Sequence, residues 1–159
     1  MRTVIYPGTF DPITNGHLDL INRAVVLFAR VIVAVAKNED KKPLFTQEER
    51  IKLIAESIKN LPQVEVEGFD GLLVDYVKKR GGCAVLRGLR AVSDFEFEFQ
   101  LALMNRKLNE NFETIFMMPT ETYTFLSSRM IKEIAKLRGN VSPFVPPHVE
   151  SALRKKLGF

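Results

Sequence analysis

The stretch YPGTFDPITNGHLDL, Tyr6 to Leu20, leaves an apolar run, crosses a loop with two glycines, two prolines and two threonines, and enters a helical pattern. Just before it, TVIY (Thr3 to Tyr6) has the β-branched and aromatic content of a strand. Just after it, Leu18, Ile21, Val25 and Phe28 recur at the spacing of one helix face. Strand, glycine-bearing loop and helix in that order open a βαβ unit. The stretch also places His17, one of only two histidines, on the first turn of the helix.

The same alternation continues along the chain. VIVAVA (Val31 to Ala36), VEVEGF (Val64 to Phe69), CAVLRG (Cys83 to Gly88) and ETIFMMP (Glu113 to Pro119) read as further strands. Ile51, Ile54, Ile58 and Leu61 mark another apolar helix face. Thr46 with Glu49, and Ser93 with Glu96, have the spacing of capping boxes. Gly139 is expected to stop the helix that contains MIKEIAKLR, and Pro147 to open a last one. Parallel strands need crossover connections, and these are right-handed. The expected fold is α/β: a doubly wound five-stranded parallel sheet with helices on both faces, in a single domain over residues 1–159. Sites in such sheets lie beyond the carboxyl ends of the strands, where the strand order reverses.

Composition narrows the function. Hydrophobic content of 46% with 26% charged residues is that of a globular protein and excludes a disordered chain. The longest apolar run is too short to span a bilayer or serve as the core of a leader, so a cytoplasmic protein with no membrane partner is expected. Cys83 stands alone, which rules out an intrachain disulfide, and it is expected to pack as a small buried hydrophobe. The formal net charge of +4 suits acidic partners. No RNA-binding signature or C-x-x-C pair is present, and the basic residues cluster in strand-end loops, so nucleic acid is not the expected partner.

Those loops carry the chemistry. PGTFDPITNGH, KNEDKKPLF, RGLRAVSDFEFE and PTETYTFLSSRMIK follow strands one, two, four and five and bring hydroxyls, cations and helix N-termini to one sheet edge. The GxGxxG and GxxxxGK[ST] phosphate loops are absent. Phosphates would instead meet helix N-termini, Lys41, Lys42, Arg87, Arg90 and the hydroxyls of Thr9, Ser127 and Ser128. A helix N-terminus disfavours a charged His17 whereas a bound polyphosphate favours one, which leaves its resting protonation state open. Arg87 and Arg90 leave a buried strand together and call for an anion or a carboxylate. Phe95 and Phe99 share a helix face and are expected in the core. Asp94 and Glu98, four apart, could bind a cation, a ligand hydroxyl or the nearby arginines.

With Thr14-Asn15-Gly16-His17 as a T-x-G-H signature, RGLRAVSDFEFEFQLALMNR and TFLSSRMIKEIA, the chain resembles the bacterial phosphopantetheine adenylyltransferases over nearly its whole length. The resemblance implies a Rossmann-like fold, a homohexamer, and reversible transfer of AMP from ATP to 4′-phosphopantetheine, giving dephospho-coenzyme A and pyrophosphate. It implies phosphopantetheine contacts at Thr9, Lys41, Leu73 and Arg87, with Thr9 shared with ATP. The ATP site would comprise Thr9, Phe10, His17, Gly88, Leu89, Arg90, Glu98, Tyr123, Thr124, Phe125, Leu126, Ser127, Ser128 and Arg129. His17 would stabilise the transition state, with Lys41 and Arg90 as further catalytic residues. Magnesium would be held mainly by ATP phosphates and water, with no protein metal ligand. Two positions depart from the family pattern: Arg129 stands where many relatives have Ser or Thr, and Tyr123 where several have Trp. The nearest enzymatic alternative is a relative with another acceptor, such as a nicotinamide mononucleotide adenylyltransferase or a cytidylyltransferase. A non-catalytic nucleotide or nucleic-acid binding module has only the basic charge in its favour.

Overall fold

The computed structural model describes residues 2–37, 42–90, 92–111 and 113–159, with the main chain alone at 92–94. Strands β1 (Thr3–Gly8), β2 (Arg30–Ala36), β3 (Val64–Phe69), β4 (Ala84–Gly88) and β5 (Glu113–Met117) form one parallel sheet in the order β3-β2-β1-β4-β5. The order reverses between β1 and β4, so the doubly wound expectation holds. Helices α1 (Asn15–Leu27), α2 (Gln47–Ser57), α3 (Leu73–Arg80), α4 (Val92–Leu108), α5 (Ser128–Lys136) and α6 (Pro147–Leu157) connect and cover the strands.

Strand alternation divides the core between the two faces. Val4, Tyr6, Val31, Val33, Val35, Ala84 and Leu86 meet residues of α1, α2, α5 and α6 on one side. Ile5, Ile32, Ala34 and Val85 meet Val74 and Val77 of α3 on the other. Ile21, Ile54, Ile131 and Leu153 are fully enclosed in the first layer, each from a different helix. Burying a side chain of this size stabilises the fold by roughly 1.5–3 kcal/mol.

The caps are as expected at Thr46, whose side chain and Glu49 bond each other's backbone amides, and at Pro147, the first residue of α6. The box expected at Ser93 lies outside the described side chains. Two expectations are corrected. Cys83 is exposed, because β4 begins only at Ala84 and the thiol sits at the strand's entrance, donating to the Thr3 carbonyl at 3.3 Å. Phe95 and Phe99 stack on each other at 5.7 Å but remain 45% and 47% exposed, since α4 also turns Phe97, Leu103, Met104 and Leu108 to the surface of the single chain. Gly139 does stop α5, although the left-handed residue there is Arg138, at φ 60°. The amide of Gly139 closes the turn on the Ile134 carbonyl at 2.9 Å. A Cβ there would lie 2.6 Å from Ile134 Cγ2 and 3.1 Å from its carbonyl oxygen. Gly139→Ala is therefore expected to destabilise by about 1–3 kcal/mol through overpacking, measured by urea unfolding. An unchanged midpoint would contradict the close approach.

Candidate active site

At the carboxyl ends of β1 and β4, where the sheet order reverses, lies an open cavity of about 420 Å³. Its floor is aromatic. Gly8 ends β1, and a Cβ on it would lie 2.9 Å from the ring of Phe10. Phe10 is buried with φ at 49°, a left-handed conformation that bulky side chains rarely adopt. Its ring meets Tyr6 edge-on at 5.3 Å and His17 at 5.0 Å. On the β4 side, Gly88 lets Leu20 approach: a Cβ would be 2.6 Å from Leu20 Cδ1.

His17 is held by a capping box that the usual Ser/Thr-x-x-Glu pattern does not reveal. Thr14 is the N-cap of α1, its hydroxyl accepts the His17 amide, and its own amide donates to His17 Nδ1 at 3.1 Å. A ring nitrogen that accepts from a backbone N–H carries a lone pair, so the neutral ring has its proton on Nε2. Burial, and then the Arg90 cation, push the imidazole down to about 4. In the free chain both the Thr14 bond and this shift favour a neutral ring that donates from Nε2. The signal in the sequence was Thr14-x-x-His17, with histidine in the place of glutamate.

The same shift has a consequence for stability. The unfolded ring takes up a proton near pH 6.5, the folded one only near 4. Between those values the unfolded state binds more protons, so the ring's contribution is complete above about pH 6.5 and is lost as pH falls towards 4. Urea unfolding at pH 7 and pH 5 should show a smaller acid loss in His17→Gln than in the parent; equal losses would contradict the buried neutral ring.

Opposite the histidine stand cations from three elements. Arg87 pairs with Glu98 through Nε at 2.7 Å and Nη2 at 2.5 Å and also donates to the Pro7 carbonyl. The blandest of the roles open to Glu98, pairing with an arginine, is thus the one it fills. Arg90 donates to the Leu126 carbonyl at 3.3 Å, and Arg129 lines the cavity from the start of α5. Asp11 and Lys132, which sequence reasoning does not single out, form a 2.5 Å ion pair at the cavity wall. Asp11 further accepts the amides of Leu44 and Phe45, both at 2.9 Å, and so ties the segment entering α2 to α5.

Two expected phosphate contacts are modified. The first amide of α1, Asn15 N, donates to the Phe144 carbonyl at 2.8 Å, so fewer free amides face the loop than the helix start suggests. Ser127 caps α5 by accepting the Met130 amide, and the Ser128 hydroxyl donates to the Pro12 carbonyl at 2.7 Å. The serines therefore fix the mouth of α5.

Of the residues expected in the site, Thr9, Phe10, His17, Arg87, Gly88, Arg90, Glu98, Leu126, Ser127, Ser128 and Arg129 line the cavity together. Leu89, Tyr123, Thr124 and Phe125 stand outside its lining. Leu89 is tied to the Met117 carbonyl, Thr124 to Glu121, and Phe125 lies against Phe144. Leu73 opens α3 on the opposite face, packed beside Phe69 and Tyr76. Lys41 lies outside the described residues.

A strand-end cavity that gathers a histidine donor, several cations and a helix N-terminus suits a nucleotide triphosphate and an in-line transfer at phosphorus. The cytidylyltransferase-like family model matches residues 5–134. The chain is 56% identical to a phosphopantetheine adenylyltransferase of Thiobacillus denitrificans, over 99% of this chain and 98% of the relative. It is 57% identical to one of Anaeromyxobacter dehalogenans, over 99% and 96%. In three dimensions it is similar to a bifunctional NMN adenylyltransferase/ADP ribose pyrophosphatase from Francisella tularensis, with a TM-score of 0.75 at 14% identity, over 99% of this chain and 50% of that one. That likeness is one of fold, whereas the full-length identities carry kinship: the chain is a nucleotidyltransferase and belongs to the phosphopantetheine adenylyltransferases.

Proposed function

We propose that this chain transfers the adenylyl group of ATP reversibly to 4′-phosphopantetheine, yielding dephospho-coenzyme A and pyrophosphate in the penultimate step of coenzyme A biosynthesis. The observation that carries the reading is a neutral His17 donor facing a cation-lined cavity at the switch point, in a chain with full-length kinship to enzymes of that name. A phosphate oxygen of the acceptor forms a bond to the α-phosphorus while the bond from that phosphorus to the β-phosphate oxygen breaks, and the pair of electrons leaves with pyrophosphate. The acceptor phosphate is already ionised at neutral pH, so no general base is needed. What the chain supplies is alignment and stabilisation of charge. His17 donates from Nε2 to the oxygen on which charge develops. Arg90, Arg129 and Lys132 would balance the triphosphate, and Thr9 and Arg87 would meet the acceptor phosphate; all five line the one cavity. Lys41 is proposed as a further acceptor contact.

Magnesium is proposed to enter on the nucleotide. Among the described residues, the two carboxylates that line the cavity are already engaged, Asp11 with Lys132 and two amides, Glu98 with Arg87. The ion neutralises phosphate charge when bound, and ATP oxygens and water would hold it. A cytoplasmic location follows from this metabolic role; among the described residues no helix is long and apolar enough to cross a membrane. Assembly as a homohexamer would cover the exposed Phe97, Met104 and Leu108 of α4.

Incubation with ATP, magnesium and 4′-phosphopantetheine, with nicotinamide mononucleotide as a parallel acceptor, tests the reading by pyrophosphate release and product mass. Dephospho-coenzyme A from phosphopantetheine alone is the expected result. Product only from the mononucleotide would reassign the acceptor.

A further inference from the structure

Arg50, on the first turns of α2, is 1% exposed. A guanidinium has five N–H donors, and enclosing it is costly unless they are satisfied. Its described bonds all run to main-chain carbonyls, and these come from three separate segments. Nη1 reaches Thr9 at 2.7 Å and Ala36 at 2.9 Å, Nη2 reaches Lys37 at 3.2 Å, and Nε reaches Phe45 at 3.2 Å and Thr46 at 3.3 Å. One planar fork thus joins the loop after β1, the end of β2 and the entrance to α2.

Its contact with Thr9 bears on the site. The Thr9 carbonyl and the Phe10 amide are opposite edges of one planar peptide, so holding the first fixes the second. Phe10 follows at φ 49°, a conformation that persists only where the surroundings impose it. Its ring, seated over Gly8, forms one wall of the His17 imidazole at 5.0 Å. The segment entering α2 is held from both sides, Asp11 taking the Phe45 amide while Arg50 takes the Phe45 carbonyl.

We propose that Arg50 is a positioning residue for adenylyl transfer, holding the Thr9–Phe10 peptide, and through Phe10 the His17 ring, in register with the loop that follows β2. The inference rests on the reaction proposed above. Arg50→Lys keeps a cation but cannot satisfy all three segments at once. In the folded variant kcat should fall about 10²-fold, the cost of a small misplacement of reacting groups, with a much smaller change in KM for ATP. The two histidines provide a readout independent of turnover. His17 should titrate above its value of about 4 as water reaches it, seen by NMR of the imidazole. His148 bonds Leu53 and Ser57 of the same helix α2, so a variant that merely loosens α2 would move its signal as well.

A shifted His17 beside an unmoved His148 is the expected result. A folded variant with both kcat and the His17 titration unchanged, or with both histidines displaced, would overturn the role. If the parent enzyme makes no dephospho-coenzyme A, the proposed reaction falls, and the His17 and His148 signals still decide whether Arg50 positions the ring. If Arg50→Lys does not fold, the Arg50 Nε–H of the parent should exchange with solvent far more slowly than that of an exposed arginine. Exchange at the exposed rate would overturn the clamp.

Discussion

Replacing His17 by alanine should lower kcat by about 10²–10³-fold, the usual cost of removing one fixed donor to a developing oxyanion, while KM for ATP changes little. The split follows from the state of the ring. A neutral N–H donor gains little from a ground-state phosphate that other cations already balance, but it gains as charge concentrates on the transferring group. Its direction is fixed before substrate arrives, because the Thr14 amide holds Nδ1 at 3.1 Å and leaves the proton on Nε2. His17→Gln offers an N–H on a side chain that lacks this brace, so it should recover only part of the loss. With the imidazole of the free chain held down to about 4, the acid limb of the kcat/KM profile should not show a group near 6.5 that disappears in His17→Ala. Steady-state kinetics with each substrate varied separates the outcomes. A KM for ATP that rises as much as kcat falls would make His17 a binding residue, and an unchanged kcat would remove it from the chemistry.

The sheet was legible because its signals are local. Val31 to Ala36 is a short apolar run whose length and β-branched content mark a strand enclosed on both faces, and Leu18, Ile21, Val25 and Phe28 mark their helix by spacing alone. The eight residues of α3 carry too short a pattern to be read, and the helix is required there only because β3 and β4 are parallel. In the site, residue types and their order along the sheet edge pointed to phosphate chemistry. What the sequence withheld was pairing across distance. Asp11 and Lys132 stand 121 positions apart, and neither type is unusual in a loop or on a helix. Arg50 lies in QEERIKL, where its residue type suggests a solvated charge although it stands four before Ile54, and it is enclosed as the common donor to the loop after β1, the end of β2 and the entrance to α2. Phe95 and Phe99 fail in the opposite direction. Apolar spacing reports a face that avoids water, and it cannot say whether the covering comes from the same chain.

The Asp11–Lys132 pair should carry the largest single contribution to stability outside the apolar core. The Asp11 side chain is 4% exposed and the Lys132 side chain 24%. Asp11→Ala would leave the Leu44 and Phe45 amides without their acceptor and a half-buried ammonium without its counter-charge. Breaking a buried pair from one side costs about 3–5 kcal/mol, which in a chain of this size lowers Tm by roughly 10 °C. Added salt should restore little of it, because screening acts on exposed charges. Asp11→Asn keeps one carbonyl for the amides but turns an NH2 towards a donor, so it should lie nearer to alanine than to the parent. ATP provides the discriminating measurement. If the released Lys132 turns to the triphosphate, saturating nucleotide supplies the missing anion and should stabilise Asp11→Ala more than the parent, where the same lysine is shared with a carboxylate. Equal nucleotide stabilisation of both proteins would assign Lys132 to the fold alone, and a loss below about 1 kcal/mol in Asp11→Ala would mean that water replaces the carboxylate at this wall.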